Sequence, residues 1–262
     1  MLAIVSPAKS LDFESAIPPV VVTENRFPAE TERLANAINN LTVKKLKSIM
    51  PVSDNLIALN RQRYSDFFNQ PERPAIYAYN GDVYTGFEAA SLGEETITFA
   101  QGHLRILSGL YGLLRPLDPI RPHRLEMGTR WAPRYSKLTD FWSDKIAKAL
   151  AADLEQSGSD TIVNLASNEY WASVKPHVAK LPGRVIEVDF RKDSPDGPKF
   201  ISFEAFISFE AQTCRAFQPQ SDLVHCSQIP GFLPHQTSKQ VQSSRPGQPS
   251  QHFELDDCAH LH

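Results

Sequence analysis

The sequence predicts an α/β fold in which a mixed central sheet is covered by helices. Short runs of apolar and β-branched residues predict buried strands at residues 2–5, 161–165 and 185–190. Segments with helical spacing separate these runs, as in sheets whose strands are connected by helices. With 262 residues, 41% of them hydrophobic, the chain can bury a sizeable core.

A loop and three helices are predicted between the first strand and residue 70. Prolines at 18, 19 and 28, together with the absence of any hydrophobic period, predict a loop after Ser6-Pro7. Helical spacing then predicts a helix that begins near Ala29. Two further helices are predicted at residues 44–50 and 55–68, with a break at Pro51 between them.

The following segments are predicted as one strand and two helices. The apolar residues 75–79 predict a strand that ends at the turn Asn80-Gly81-Asp82. Residues 99–114 combine helical spacing with three glycines. This predicts a helix in which the glycines permit either close packing against neighbouring elements or breaks in the helix. Residues 138–155 carry apolar side chains on one side and predict a single amphipathic helix.

The composition of the chain changes near residue 204. Ser, Gln, Pro and His dominate from there on, and no apolar run sustains a helical or strand period. We therefore expect one α/β domain at residues 1–203 and an atypical, poorly ordered segment at 204–262. Our hypothesis for the change is a shift of reading frame near codons 200–215 of the gene.

Composition also restricts the class of protein. No run approaches the roughly 18 apolar residues of a membrane span, and the N-terminus lacks the features of a signal peptide, so we expect a cytoplasmic protein without a membrane partner. The formal charge is −3, so anion binding has to come from a local patch. The cysteines, at 214, 226 and 258, predict neither a disulfide framework nor a zinc site.

The most basic part of the chain is the segment 103–137. It holds seven Arg or Lys residues against Asp118 and Glu126, interleaved with glycine, proline and aromatic residues. Guanidinium groups bind phosphate bidentately, and glycine lets backbone N–H groups approach it. We expect a phosphate site here; the alternative is that these arginines pair with carboxylates elsewhere in the protein.

Two further segments are candidates for phosphate contacts. Lys9 ends the segment Ser6-Pro7-Ala8-Lys9, which follows the first strand directly, where open α/β sheets place ligand-binding loops, although no P-loop pattern accompanies it. Residues 44–64 have the outline of a helix-hairpin-helix, with Lys47 on the first helix and Ser53 capping the second. Such a hairpin offers backbone N–H groups to a DNA phosphate. Two packed helices without a ligand are the alternative, because Pro51 and Ser53 stand where the usual hairpin has glycines.

Two loops after predicted strands carry groups capable of acid–base chemistry. They are residues 80–86 and 164–170, and their carboxylates Asp82 and Glu169 are the candidate general bases. A turn carboxylate that caps its own backbone is the alternative. No Ser-His-Asp order, HExxH or GxGxxG is present, so the residues alone do not define a catalytic site.

Five motifs, in order along the chain, resemble the YaaA-type peroxide stress protein family: SPAKSLDF, NGDVYTG, LSGLYGLLRPLD, PHRLEMGTR and NLASNEY. The resemblance covers roughly residues 1–203. It implies an α/β fold with a positively charged cleft and a helix-hairpin-helix-like element that binds DNA. It further implies a protein that limits damage from hydrogen peroxide by lowering free intracellular iron, with no established enzymatic activity.

The resemblance also implies which residues line that cleft. They lie within or just after the matching motifs and are Lys9, Arg115, Arg124, Arg130 and Lys175. His123 stands where the family usually has a tyrosine. The basic helix with which the family continues has no counterpart in residues 204–262.

We therefore expect an oxidative stress protein that binds duplex DNA without sequence preference, is a monomer and holds no cofactor or metal. The alternative is an enzyme acting on a phosphorylated or nucleotide substrate at the strand ends, with Asp82 or Glu169 as base and Lys9 as electrostatic stabiliser. A thiol sensor or direct iron binder is disfavoured, because residues 1–203 contain no cysteine and their histidines are scattered.

Overall fold

The structure, a computed structural model, describes residues 1–192, 199–201, 239–244 and 251–254. Its strands are β1 (Leu2–Val5), β2 (Ser10–Leu11), β3 (Arg73–Pro74), β4 (Tyr79–Asn80), β5 (Leu104–Ser108), β6 (Gly112–Leu114), β7 (Pro119–Ile120), β8 (Thr161–Asn164), β9 (Arg184–Lys192), β10 (Lys199–Ile201), β11 (Lys239–Ser244) and β12 (Gln251–Glu254). Its helices are α1 (Pro28–Asn39), α2 (Val43–Ile49), α3 (Asp54–Ser65), α4 (Ala75–Ala78), α5 (Asp82–Phe87), α6 (Glu94–His103), α7 (Leu138–Trp142), α8 (Lys145–Ser157) and α9 (Asn168–Trp171).

One mixed sheet forms the centre of the fold, in the strand order β12-β11-β9-β8-β1-β5-β6. Strand β1 pairs in parallel with β5 on one side and with β8 on the other, and β8 pairs in parallel with β9. Strand β6 is antiparallel to β5, β10 and β11 are antiparallel to β9, and β12 is antiparallel to β11. The predicted mixed α/β fold is confirmed, and the carboxyl ends of β1, β5 and β8 lie at one edge of the sheet.

Several predicted elements are confirmed with small differences at their ends. The strands expected at residues 2–5, 161–165 and 185–190 are β1, β8 and β9, and the first three expected helices are α1, α2 and α3. Helix α2 is capped by the Thr42 hydroxyl, which accepts a hydrogen bond from the Lys45 N–H at 3.2 Å. Ser53 does occupy the N-cap position of α3, but its hydroxyl makes no capping hydrogen bond.

The strand predicted at residues 75–79 is wrong for all but its last residue. Ala75–Ala78 form the single helical turn α4, and only Tyr79 continues into β4. The first two N–H groups of the turn donate to the carbonyl oxygens of Asp118 and Pro116, each at 2.9 Å. A short, fully buried apolar run does not distinguish helix from strand by its sequence, and here a neighbouring loop supplies the acceptors that a helix start requires.

The single helix predicted at residues 99–114 is wrong beyond His103, where α6 ends. The chain continues as strand β5, a tight turn and strand β6. A Cβ at Gly109 would clash with the carbonyl group of Leu125, and Gly112 has a φ of +72°. The glycines therefore permit a β-hairpin that is covered closely by another loop, and are not breaks in a helix.

The helix predicted at residues 138–155 is interrupted and forms α7 and α8. Ser143 lies between them with a φ of +47°, which a continuous right-handed helix does not allow. Trp142, the last residue of α7, is fully buried, and its indole N–H donates to the Gly109 carbonyl oxygen at 2.9 Å. The packing of this large side chain under the β5–β6 hairpin accompanies the break, which periodicity does not reveal.

Helices cover the sheet and bury their apolar faces against it. Helix α6 contacts β1 and β5, α8 contacts β6, and α9 contacts β5. The largest fully buried side chains include Trp142 and Trp171, which lie at the ends of α7 and α9. The core of this α/β unit therefore extends over elements from residue 2 to residue 185.

Within the expected C-terminal segment 204–262, the structure describes the backbones of β11 and β12, which pair with β9 and with each other. The other residues of that segment lie outside the described part of the chain. The division at residue 203, the poor order beyond it and the reading-frame shift therefore stay predictions.

A matched pair of glycines tests the packing at the hairpin. Gly112 and Gly158 both have positive φ, +72° and +63°, but a Cβ at 112 would lie 2.7 Å from the Trp142 ring, whereas a Cβ at 158 would meet nothing within 4 Å. We expect Gly158→Ala to lower the free energy of unfolding by about 1 kcal/mol through backbone strain alone. Gly112→Ala should lower it by about 3 kcal/mol, because overpacking adds to the strain. Urea unfolding measures both, and equal losses would mean that the indole ring moves aside at little cost.

Candidate functional site

Loops that follow β1, β5 and β8 meet at the carboxyl edge of the sheet and border a cleft. The chain runs from β1 to β5 on one side and from β8 to β9 on the other, so the direction of the strand order reverses between β1 and β8. Open α/β sheets bind their ligands in crevices at such points. We call this cleft the strand-end cleft; it is lined by Pro7, Ala8, Lys9, Tyr79, Ser108, Gly109, His123, Arg124, Leu125, Glu126 and Tyr170.

Hydrogen bonds hold the loops after β1 and β8 together. The Ser6 hydroxyl accepts from the Ser167 N–H at 2.9 Å and donates to the Ser167 hydroxyl at 3.2 Å. The Tyr84 hydroxyl donates to the Ser6 carbonyl oxygen at 2.9 Å. A Cβ at Gly81 would lie 2.9 Å from the Ala8 Cβ, so glycine is required for the NGDVYTG segment to support the SPAK loop this closely.

A second wall of the strand-end cleft comes from the irregular segment 122–130. The Arg124 carbonyl oxygen accepts a hydrogen bond from the Tyr64 hydroxyl of α3 at 3.0 Å. The Gly128 N–H donates to a carboxylate oxygen of Glu169, also at 3.0 Å. Glu169, which the sequence suggests as a candidate general base, therefore accepts a hydrogen bond that fixes this wall of the cleft.

The charged groups of the strand-end cleft are few. Arg124 pairs with Glu126 at 2.7 Å, and both side chains are partly buried. The Nε of Arg124 is buried and has no hydrogen-bond partner among the described residues. Lys9 is exposed, and no carboxylate of the described part of the chain lies within ion-pair distance of it. The cleft thus offers one unpaired cation and one guanidinium with unused hydrogen-bonding capacity.

Two buried tyrosines contribute neutral donors to the cleft. Burial raises the pKa of Tyr79 and of Tyr170 well above the usual tyrosine value, so both keep their protons at neutral pH. The nearby Ser108 hydroxyl offsets part of the rise in the pKa of Tyr79. The buried Tyr79 hydroxyl nevertheless has no hydrogen-bond partner among the described residues. An unsatisfied buried hydroxyl at a cleft is a group that a ligand would satisfy.

His123 is a neutral side chain in the wall of the strand-end cleft. The residue is 7% exposed, and burial lowers its pKa to about 4; the hydrogen bond to the Arg121 carbonyl oxygen opposes this lowering, and the charge of Arg63 adds a smaller one. Its Nδ1 lies 2.7 Å from the Arg121 carbonyl oxygen, which assigns the proton of the neutral ring to Nδ1. The other ring nitrogen, Nε2, then presents an acceptor and not a positive charge.

The structure brings only part of the sequence-predicted set together. Lys9 and Arg124 line the strand-end cleft, and Glu169 braces its wall. The predicted residues that are not among those lining the cleft are Arg115, Arg130, Lys175, Lys47, Ser53 and Asp82. Their roles stay predictions.

Three of those basic residues have carboxylate partners. Arg115 lies 3.0 Å from the buried Asp118, Lys47 lies 2.6 Å from Asp54, and Lys175 lies 3.9 Å from Glu187. Arg130 is exposed, as is Asp82 in the first turn of α5. Arg115 is therefore paired with a carboxylate of the protein itself, as in the alternative to a phosphate site. Arg124 also has a carboxylate partner, Glu126, but in addition lines the strand-end cleft.

Sequence reasoning missed Tyr79, Ser108 and Tyr170 as cleft residues. Tyr79 and Ser108 stand at or next to strand ends, and Tyr170 is the last residue of the NLASNEY motif, so the sequence could have indicated that they lie near the cleft.

Within the described residues, no helix is long and apolar enough to cross a membrane. Within the same residues, no three His, Cys, Asp or Glu side chains converge as a metal site.

Acid titration tests the environment of His123. Because its pKa is about 4 in the folded protein and about 6.5 when unfolded, only the unfolded chain takes up this proton as the pH falls between those values. The folded state should therefore lose about 2 kcal/mol of stability from this group between pH 7 and pH 5. We expect His123→Gln to remove that part of the pH dependence in urea unfolding. An unchanged slope of stability against pH in the variant would contradict a buried, neutral His123.

Comparison with known proteins agrees with the motifs and covers the elements that build the cleft. Residues 1–206 match the family model described as "Peroxide stress protein YaaA". A UPF0246 protein of Rhizorhabdus wittichii is 56% identical over 206 residues, covering 78% of this chain and 81% of that protein. UPF0246 proteins of Idiomarina loihiensis and Roseobacter denitrificans are 49% and 47% identical over 210 and 212 residues, each covering 78% of this chain and 81% and 80% of the relative. With a family match over most of its length and relatives this similar, the chain belongs to the YaaA peroxide stress protein family.

Proposed function

We propose that this protein acts in the oxidative stress response by binding duplex DNA without sequence preference, and that it thereby limits iron-dependent oxidative damage. Membership of a family named for peroxide stress supports the first part. The observation that carries the DNA-binding part is the strand-end cleft, where Lys9 has no carboxylate partner in the described part of the chain and the Nε of Arg124 is unsatisfied. A phosphate could pair with the Lys9 amine and accept a hydrogen bond from the Arg124 guanidinium.

The charge of the chain makes such binding local. With a formal charge of −3, long-range attraction does not draw the protein to DNA, and phosphate binding near the cleft has to supply the affinity. Neutralisation of two or three phosphates would make affinity fall by about 10- to 40-fold between 50 and 200 mM salt. Interactions of this kind position a protein on the duplex and do not read its sequence.

The helix pair α2–α3 would provide a second contact. Its connection spans residues 50–53, and the Ser53 hydroxyl leaves the N–H groups of the first turn of α3 without a side-chain cap. Helix N-termini bind phosphate through such groups. Lys47, whose amine lies 2.6 Å from the Asp54 carboxylate, stands beside this turn and would exchange that partner for phosphate.

An enzyme acting on a phosphorylated or nucleotide substrate is the second candidate. The buried and unsatisfied Tyr79 hydroxyl at the cleft favours it, because a small ligand could reach that group more readily than a duplex. Of the candidate bases, Asp82 is not among the residues lining the cleft and Glu169 is occupied by the Gly128 N–H. Turnover of a phosphate ester that is lost in Lys9→Ala would support this candidate over the first.

Replacement of Lys9 tests the DNA-binding proposal. We expect Lys9→Ala to weaken binding to unrelated duplex sequences to the same degree, because an interaction with phosphate carries no base information. The slope of log affinity against log salt should become shallower by about 0.9, since the variant neutralises one phosphate fewer. Fluorescence anisotropy with two labelled duplexes over a salt series measures both effects.

Lys148→Ala is the matched control for charge. Lys148 is 73% exposed on α8, pairs with Asp144 at 3.0 Å and is not among the residues that line the strand-end cleft. It should leave the affinity within about twofold of the original, since it removes the same charge from an exposed surface position. If both variants lose affinity equally, binding reflects net charge and not the cleft.

A further inference from the structure

The most buried part of the strand-end cleft is uncharged at neutral pH. Four of the lining residues are each at most 9% exposed, and we call them the floor of the cleft: Tyr79, Ser108, His123 and Tyr170. Burial keeps both tyrosines protonated, and it lowers the pKa of His123 to about 4, so that this ring is neutral. Lys9, by contrast, is exposed. A ligand that fills the cleft would therefore meet a positive charge at the rim and neutral hydrogen-bonding groups on the floor.

The Tyr79 hydroxyl is a donor of the floor that the fold leaves unused. It is buried and has no hydrogen-bond partner among the described residues. The Ser108 hydroxyl affects the pKa of Tyr79, and the charge that Tyr79 would carry raises the pKa of Tyr170. The hydroxyl end of the Tyr79 ring therefore lies among the other floor residues. A buried hydroxyl without a partner costs free energy, which a ligand that accepts its hydrogen bond would recover.

His123 supplies an acceptor to the same floor. Its Nδ1 is engaged with the Arg121 carbonyl oxygen, and its Nε2 forms no hydrogen bond within the described residues. Because His123 borders the cleft, Nε2 is the ring nitrogen that a ligand in the cleft can use. The rings of Tyr79 and His123 meet edge to face, with their centroids 6.5 Å apart. The floor thus presents a donor and an acceptor to one small group.

The ring amide of a nucleobase matches this donor and acceptor. In uracil, hypoxanthine and guanine an N–H stands next to a C=O, so the C=O would accept from the Tyr79 hydroxyl while the N–H donates to the His123 Nε2. A duplex does not offer this edge, because base pairing occupies it. The cleft has an empty volume of about 300 Å³, part of it open to solvent, which is at the lower end of the range for small-molecule sites.

We propose that the strand-end cleft binds a mononucleotide with a ring-amide base, with the base at the Tyr79 hydroxyl and His123 and the phosphate at the rim. At the rim, the Lys9 amine has no carboxylate partner among the described residues and the Nε of Arg124 is unsatisfied. This rests on the second candidate of the proposed function, a small phosphorylated ligand, and names the class of that ligand. It requires binding and not turnover.

Uridine and cytidine monophosphate are matched ligands that test the inference. They differ only at the edge of the base, where cytosine has an unprotonated ring nitrogen beside an amino group, so that two acceptors would face each other at the His123 Nε2. We expect uridine monophosphate to bind at least about tenfold more tightly than cytidine monophosphate. Uridine, which lacks the phosphate, should also bind at least about tenfold more weakly. Isothermal titration calorimetry near neutral pH and at low salt measures all three affinities.

Tyr79→Phe, with Tyr77→Phe as its control, tests the role of the floor. Both hydroxyls are buried and have no hydrogen-bond partner among the described residues, but Tyr77 is not among the residues that line the cleft. Tyr79→Phe should weaken binding of uridine monophosphate by about tenfold and reduce the preference over cytidine monophosphate, whereas Tyr77→Phe should stay within about twofold. Neither variant should unfold at a lower temperature than the original protein, since neither loses a hydrogen bond within the described residues.

The outcomes separate this inference from the proposed function. Equal affinities for the two nucleotides, or equal losses in Tyr79→Phe and Tyr77→Phe, would overturn the inference. Absence of binding of uridine monophosphate at millimolar concentration would also overturn it, and salt-sensitive duplex binding by the same protein would still support the proposed DNA binding. Selective binding of uridine monophosphate without turnover of any phosphate ester would support the inference and count against the enzymatic candidate.

Discussion

Strand β1 hydrogen-bonds along both of its edges, in parallel to β5 with Ala3 opposite Leu104 and to β8 with Leu2 opposite Ile162. Its side chains at 2 and 4 are fully buried, so a slip of one residue would turn them to the opposite face and is excluded by the core. This register aligns three carboxyl ends at one edge of the sheet. Lys9, Ser108 and Tyr170, which lie at or just beyond the ends of β1, β5 and β8, meet only because these ends are aligned, so the strand-end cleft is a consequence of how β1 is paired.

Many of the basic side chains in the segment 103–137 form ion pairs with carboxylates of the protein itself. Arg105 binds the buried Asp153 at 2.5 Å, Arg115 binds the buried Asp118, and Arg121 pairs with Glu72 at 2.8 Å. Buried pairs of this kind gain little net stability, but removal of one partner is costly because the other charge is left without compensation. These arginines therefore hold loops together, and the Arg and Lys residues of the segment that keep no carboxylate partner among the described residues are Arg130, Arg134 and Lys137.

The sequence predicted the parts of this fold in which local pattern and tertiary environment agree. Strand β1 is an apolar run ended by proline, and α1 begins with a proline and has apolar side chains at helical spacing. Prediction failed where a buried segment takes its hydrogen-bond partners from elsewhere, as α4 does from the loop at residues 116–118. It failed again at β5, where glycine spacing suits either a loosely packed helix or a tight hairpin, and pairing with β1 decides between them.

The same limit applied to the candidate site. The position of Lys9 at the strand-end cleft could be predicted, because the segment Ser6-Pro7-Ala8-Lys9 directly follows β1 in the sequence. Whether an arginine is free or paired depends on residues distant along the chain: Glu72 takes Arg121, whereas Arg63, nine residues before Glu72, has no such partner in the described part of the chain. The helix pair and the basic segment are separate motifs in the sequence. Tyr64 and Gln70 join them, because the side chains of both residues hydrogen-bond to carbonyl groups of residues 122–124.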